Sequence, residues 1–262
     1  MELNFFDESL IFENKIRHLS NKHEIVEKAS KNSKLKYVNL RKSRLDYIPE
    51  FASKEIEFLD LSCNNLTQFP LWILKLENLK FLNIGSNDIF FVPSLKHMNL
   101  ETLKIYKNKI FDIELCKSIK FLNLYLNNFE TFPKQVFELE KLEFLSYCDC
   151  KLKIFPKELC DLHSLKWLCF VSNKIENLPD NFVYLKNLIG IKFGKNNIKE
   201  LPLKFGDLSN LKEISFYCNK LTELPDSFFN LNLNKLNMSK NKLTEECLFK
   251  LYKYSKIEFY SI

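Results

Sequence analysis

The residues of this chain whose types could carry chemistry are four histidines, eight cysteines and four glycines. His18, His23, His97 and His163 could act as general bases or metal ligands only if folding gathered them. Their spacing places them in connecting segments or near the N-terminus, with no common cleft to face. Cys148-x-Cys150 is too closely spaced for the usual zinc pair and has no second pair to complete it. Gly190-x-x-x-Gly194 would need a strand-to-helix turn to cradle phosphate. Both glycines fall in one short strand-like segment instead. No Ser/His/Asp or Cys/His set, His-Glu-x-x-His motif or acidic calcium loop can be assembled. The expectation is a non-enzyme with no metal and no cofactor.

The segments that carry these residues are copies of one unit. All eight prolines, Pro49, Pro70, Pro93, Pro133, Pro156, Pro179, Pro202 and Pro225, follow an apolar opener by the same interval. The openers are Leu35, Ile56, Leu79, Leu100, Ile119, Leu142, Leu165, Leu188, Leu211, Leu233 and Ile257. Their steps run 21, 23, 21, 19, 23, 23, 23, 23, 22 and 24 residues. Counting the opener as position one, positions four, six and eleven are apolar. Alternation around positions four and six predicts a strand with one buried face. Position nine is Asn64, Asn87, Asn108, Asn127, Asn173, Asn196, Asn219 or Asn241, and departs to Ser43 and Cys150. These asparagines are expected to form a structural ladder that pairs buried backbone groups of neighbouring turns. Proline fits the returning segment, where no ladder amide is needed.

The unit Leu165-Lys-Trp-Leu168-Cys-Phe170-Val-Ser-Asn173-Lys-Ile175 carries the L-x-x-L-x-L-x-x-N/C-x-L signature. It continues as Leu178-Pro-Asp-Asn-Phe182-Val-Tyr-Leu185-Lys-Asn-Leu188. In both parts the chain resembles intracellular leucine-rich repeat proteins of the 23-residue LPxxFxxLxxL class, including Ras-pathway scaffolds. The resemblance covers nearly all of the chain. It implies an α/β solenoid: a horseshoe with a parallel β-sheet on the concave face and irregular, 3-10 or short helical segments on the convex side. It also implies roles in signalling, small-GTPase pathways or phosphatase regulation.

One continuous domain is expected. Residues 1–34 read as an N-terminal capping segment: a degenerate first repeat near Phe6 with Ile11 and Ile16, then a short helix over Asn21–Ser30. Residues 35–247 hold about ten repeats. Residues 248–262 read as a closing helix and an edge strand. Composition excludes other classes: 46% hydrophobic and 27% charged residues suit a buried core, and no apolar run is long enough to span a membrane. The start lacks the basic and apolar regions of a signal peptide. With the cysteines read as reduced thiols, the expected location is cytoplasmic or nuclear, not secreted.

Function is then expected on the concave surface. Positions three, five and seven face outward there and line up in columns. Position three reads Tyr37, Phe58, Phe81, Thr102, Phe121, Phe144, Trp167, Gly190, Glu213, Lys235. Together with Tyr106, Tyr125, Val171 and Tyr217 of position seven, its aromatics are the candidate partner-binding residues. Small neighbours (Ser62, Gly85, Ser146, Cys148, Cys169) are expected to leave room for a helix or extended peptide. Position ten supplies a basic rim: Arg44, Lys109, Lys151, Lys174, Lys220 and Lys242. The favoured reading is a non-catalytic protein-interaction module or scaffold. The alternatives are an RNA- or ribonucleoprotein-associated factor, since net charge is +6, and a non-catalytic subunit of a multi-chain enzyme. The residues do not name the partner or the oligomeric state.

Overall fold

Eleven parallel strands stack in sequence order into a single sheet in the computed structural model, which describes residues 22–254 and 258–259. The strands are β1 (Tyr37–Asn39), β2 (Phe58–Asp60), β3 (Phe81–Asn83), β4 (Thr102–Lys104), β5 (Phe121–Asn123) and β6 (Phe144–Ser146). They continue with β7 (Trp167–Cys169), β8 (Gly190–Lys192), β9 (Glu213–Ser215), β10 (Lys235–Asn237) and β11 (Glu258–Phe259). In β1 to β10 the strand occupies positions three to five, and equal positions pair in register, as Phe144 does with Trp167. The expected degenerate first repeat with Phe6, Ile11 and Ile16 lies outside the described residues.

The core runs the length of the stack. Openers and positions four and six are sealed in nearly every unit, as with Leu165, Leu168 and Phe170. In the seventh to ninth units phenylalanine fills position six. Phe170, Phe193 and Phe216 stack with centroids 5.5 and 5.7 Å apart. A second column, Phe182, Phe205 and Phe228, enters from the convex side at 6.3 and 6.1 Å spacing. The two columns meet edge to face, Phe182 on Phe193 and Phe205 on Phe216. This arrangement suits the ring quadrupole and contributes about 0.5–1.5 kcal/mol per pair beyond area burial.

The convex side depends on unit length. The units opened by Ile56, Ile119, Leu142, Leu165, Leu188 and Leu211, which are 22 or 23 residues long, each carry a 3-10 turn. Most of these turns follow directly on proline, whose carbonyl accepts the first amide, as Ile73 donates to Pro70. The shorter units opened by Leu35, Leu79 and Leu100 have none. Two to four fewer residues leave too little chain both to close a turn and to return to the sheet, so the expected convex 3-10 segments are confined to the longer units.

The asparagine ladder forms as the spacing predicts. In all eight rungs the side-chain oxygen accepts the position-eleven amide of the preceding unit. The NH2 group donates to position-six carbonyls of its own unit and the preceding one. Asn196 shows the pattern: Ile175 N donates to Oδ1 at 3.0 Å, while Nδ2 reaches Phe170 O and Phe193 O, both at 2.9 Å. The ladder lapses at Cys150, whose thiol reaches Leu124 O only at 3.9 Å. No asparagine reaches the Phe129 amide. Cys150→Asn is therefore expected to stabilise the chain by about 1–2 kcal/mol, read as a higher urea midpoint with unchanged slope.

Every unit turns at position eight with left-handed backbone. Lys42, Cys63, Ser86, Lys107, Leu126, Asp149, Ser172, Lys195, Cys218 and Lys240 all have φ between 50° and 58°, and none is glycine. Arg44 and Lys151, at position ten, are also left-handed, in the two units that lack the asparagine. There Asn64 and Asn173 of the following units compensate: each accepts two amides, from Ser43 and Leu45 or from Cys150 and Leu152.

Two α-helices flank the repeats. α1 (Lys22–Ser30) places Val26 against the core at the N-terminal side. α2 (Glu245–Tyr254) starts earlier than the expected boundary at residue 248. Thr244 explains the shift, since its hydroxyl accepts the Cys247 amide as a helix cap, and Glu245 and Glu246 suit the first turn. Among the described residues no helix is long and apolar enough to cross a membrane, and no group of three or more metal-ligating side chains occurs.

Candidate concave interface

The concave face carries a ribbon of rings from β1 to β7. Tyr37 contacts Phe58 at 5.9 Å, and Phe58 stacks on Phe81 at 4.2 Å. Phe121 stacks on Phe144 at 4.1 Å with planes 1° apart. The one gap in the column is Thr102, and a residue from the neighbouring column fills it. Lys104 sits with Nζ 5.3 Å from the Phe81 ring and 5.1 Å from the Phe121 ring. Removal from water pulls its pKa below that of an ordinary lysine, while the nearby Asp60 acts in the opposite sense. Asp60 itself is tied down: Ser62 donates amide and hydroxyl to it at 2.8 and 2.6 Å, and Asn83 donates at 3.0 Å.

Three of the four glycines are seats for the aromatics. A Cβ on Gly190 would stand 2.0 Å from the Trp167 ring, one on Gly85 2.3 Å from Tyr106, and one on Gly194 1.9 Å from Tyr217. The rings therefore lie down over the neighbouring backbone. This corrects the expectation that small residues leave the patch open. Gly85 is occupied by Tyr106, and Ser62, Ser146 and Cys148 are buried. Burial raises the pKa of the Tyr106, Tyr125 and Tyr217 hydroxyls.

The remaining candidates fall where the phase puts them. Phe58, Phe81, Tyr106, Phe121, Tyr125, Phe144, Trp167, Val171 and Tyr217 are half-buried on this face, and Tyr37 is exposed at its end. The basic rim lies along the strand ends, with Arg44, Lys109, Lys151, Lys174, Lys220 and Lys242 all exposed. Lys109 pairs with Asp88 at 2.9 Å. Among the described residues the other five make no ion pair. The opposite rim is different, and its pattern follows the repeat phase rather than any motif. Position two alternates Lys36, Glu57, Lys80, Glu101, Lys120, Glu143, Lys166. Adjacent members pair at 3.4 Å (Lys36 and Glu57), 2.9 Å (Lys120 and Glu101) and 2.8 Å (Lys166 and Glu143). Each pair is worth little alone, but together they leave one rim balanced and the other positive. Of the described histidines, His23 lies 3.4 Å from Asp46, and His97 contacts Leu74 O.

A family model described as Leucine Rich Repeat matches residues 55–76 and 210–231, two separate turns of this stack. A leucine-rich repeat protein of Leptospira interrogans superposes with TM-score 0.64 and 24% identity, over 87% of this chain and 73% of that one. The fold is a leucine-rich repeat solenoid. A TDR receptor structure matches 72% of the solenoid at TM-score 0.65 and 29% identity. The plant peptide hormone receptor RGFR1, solved in complex with RGF2, matches 73% at TM-score 0.63 and 25% identity. The solenoid spans only 35% and 33% of those two receptor chains. Leucine-rich repeats of this kind serve as protein-interaction modules.

Proposed function

We propose that this solenoid is a non-catalytic module that holds an extended, acidic segment of a protein partner along its concave face, within an intracellular signalling assembly. Phe121, Tyr125, Phe144 and Trp167 are the central anchors. The observation that carries the reading is the ring ribbon with Lys104 between its halves, on the concave face of the sheet. Rings braced by neighbours and glycine seats lose little freedom on binding, so the site is preorganised. The unbalanced rim explains the preference for acidic residues and steers their approach. The similarity to the plant peptide hormone receptor RGFR1 supports a peptide-like occupant.

An RNA ligand is less well served. Phe121 and Phe144 cover each other's faces and present edges to the hollow, whereas base stacking needs a free π-face. The test is affinity capture by wild-type protein and by a Tyr125→Ala/Trp167→Ala variant, with partners identified by mass spectrometry. Capture should weaken at least about thirtyfold in the variant, with the circular dichroism spectrum retained. Equal capture by both proteins, or capture abolished by ribonuclease, overturns the proposal.

A further inference from the structure

All eight cysteines lie among the described residues, and two of them meet. Cys148, just past β6, places Sγ 3.1 Å from Sγ of Cys169, the last residue of β7. Closing this contact to a bond requires about 1 Å of approach. Of the other thiols, Cys63 and the exposed Cys218 sit at position eight of other units. Cys150 turns back to its own strand end, 3.1 Å from Cys148 O, while Cys116, Cys160 and Cys247 are buried at separate points in the stack.

We propose that Cys148 and Cys169 form a peroxide-oxidisable dithiol that closes to a disulfide across β6 and β7. The proposal concerns the chain alone and holds whether or not the concave face takes a partner. Cys169 is the attacking thiol because it is the more exposed of the two, and because its register partner on β8 is Lys192. Its pKa is lowered, first by the Cys148 thiol hydrogen-bonding to it, then by the Val171 amide, Lys192 and Ser146, against the opposing effect of burial. Cys148 moves upward for the complementary reason, so it stays protonated and acts second. Tyr125, Tyr217, Asp149, Cys150 and Cys218 are the other titratable groups in this neighbourhood.

The chemistry balances with hydrogen peroxide as the oxidant. Cys169 thiolate attacks one peroxide oxygen, the O–O bond breaks, and sulfenic acid and hydroxide form. Cys148 sulfur then displaces the sulfenic oxygen, which leaves as water with the Cys148 proton, and the S–S bond forms. Two thiols and one peroxide give one disulfide and two waters.

The test oxidises the full chain with hydrogen peroxide, blocks residual thiols with iodoacetamide and maps tryptic peptides. The expected product is segment 142–151 joined to segment 167–174, with the intact chain lighter by two hydrogens. Cys150→Ser should retain the link, which excludes Cys150 as the partner. Cys148→Ser should stop at a Cys169 sulfenic acid that dimedone captures. Cys169 should alkylate faster than Cys148, which is held protonated beside it. A link through Cys150, or oxidation of Cys169 to sulfinic acid with no link in the wild type, overturns the proposal.

Discussion

Asn173→Leu is expected to lower the stability of the chain by about 3 kcal/mol or more, since several buried polar groups lose their partners at about 1–3 kcal/mol each. With Asn64, Asn173 is the most heavily used rung. It accepts from Cys150 N at 3.2 Å and Leu152 N at 3.0 Å, and donates to Tyr147 O at 2.7 Å and Phe170 O at 3.1 Å. Leucine has the same branching and heavy-atom count but satisfies none of these groups. The same change at the half-buried Asn241, near the C-terminal end, should cost visibly less. Urea denaturation of both variants provides the measurement, and equal midpoints would refute the ladder energetics.

Gly206→Ala should also destabilise strongly, by about 2–3 kcal/mol. Its added Cβ would stand 1.8 Å from the carbonyl oxygen of Ser227 and 2.4 Å from its carbon. The obstacle is backbone of the next convex turn, not a side chain that can swing aside. The Gly206 amide also donates to Ser227 Oγ at 3.1 Å, which anchors the same contact. Gly190→Ala is the natural comparison, because its Cβ meets only the Trp167 ring, which can rotate away. A melting temperature for Gly206→Ala equal to that of the wild type would show that the convex turns are freer to separate than their spacing implies.

Phase was the legible part of this molecule. Strand positions, the inward set and the ladder follow from a repeat in which each copy restates the same pattern, so Asn64 and Asn219 carry the same information. What one unit does to its neighbour was not legible. Nothing in the spacing says that Lys104 leaves its own column to fill the gap at Thr102, because that depends on side-chain direction across strands. Gly85 reads as an opening, yet the Tyr106 ring lies over it, since a ring can flatten where the Cβ is missing. The left-handed turn at position eight was invisible because Lys, Ser, Cys, Leu and Asp occupy it without any glycine. The alternating charges at position two could have been read from the sequence by following that column.

The absent rung at Cys150 also shapes how the molecule comes apart. A solenoid couples each unit only to the next, so cohesion is set junction by junction and a rupture starts at the weakest. The edge between the fifth and sixth units has lost its polar fastening, while the hollow side of that same junction is riveted by Phe121 on Phe144. Tension that peels those two rings apart would split the protein into two blocks, so the surface offered to a visitor is also the clasp that keeps the halves together.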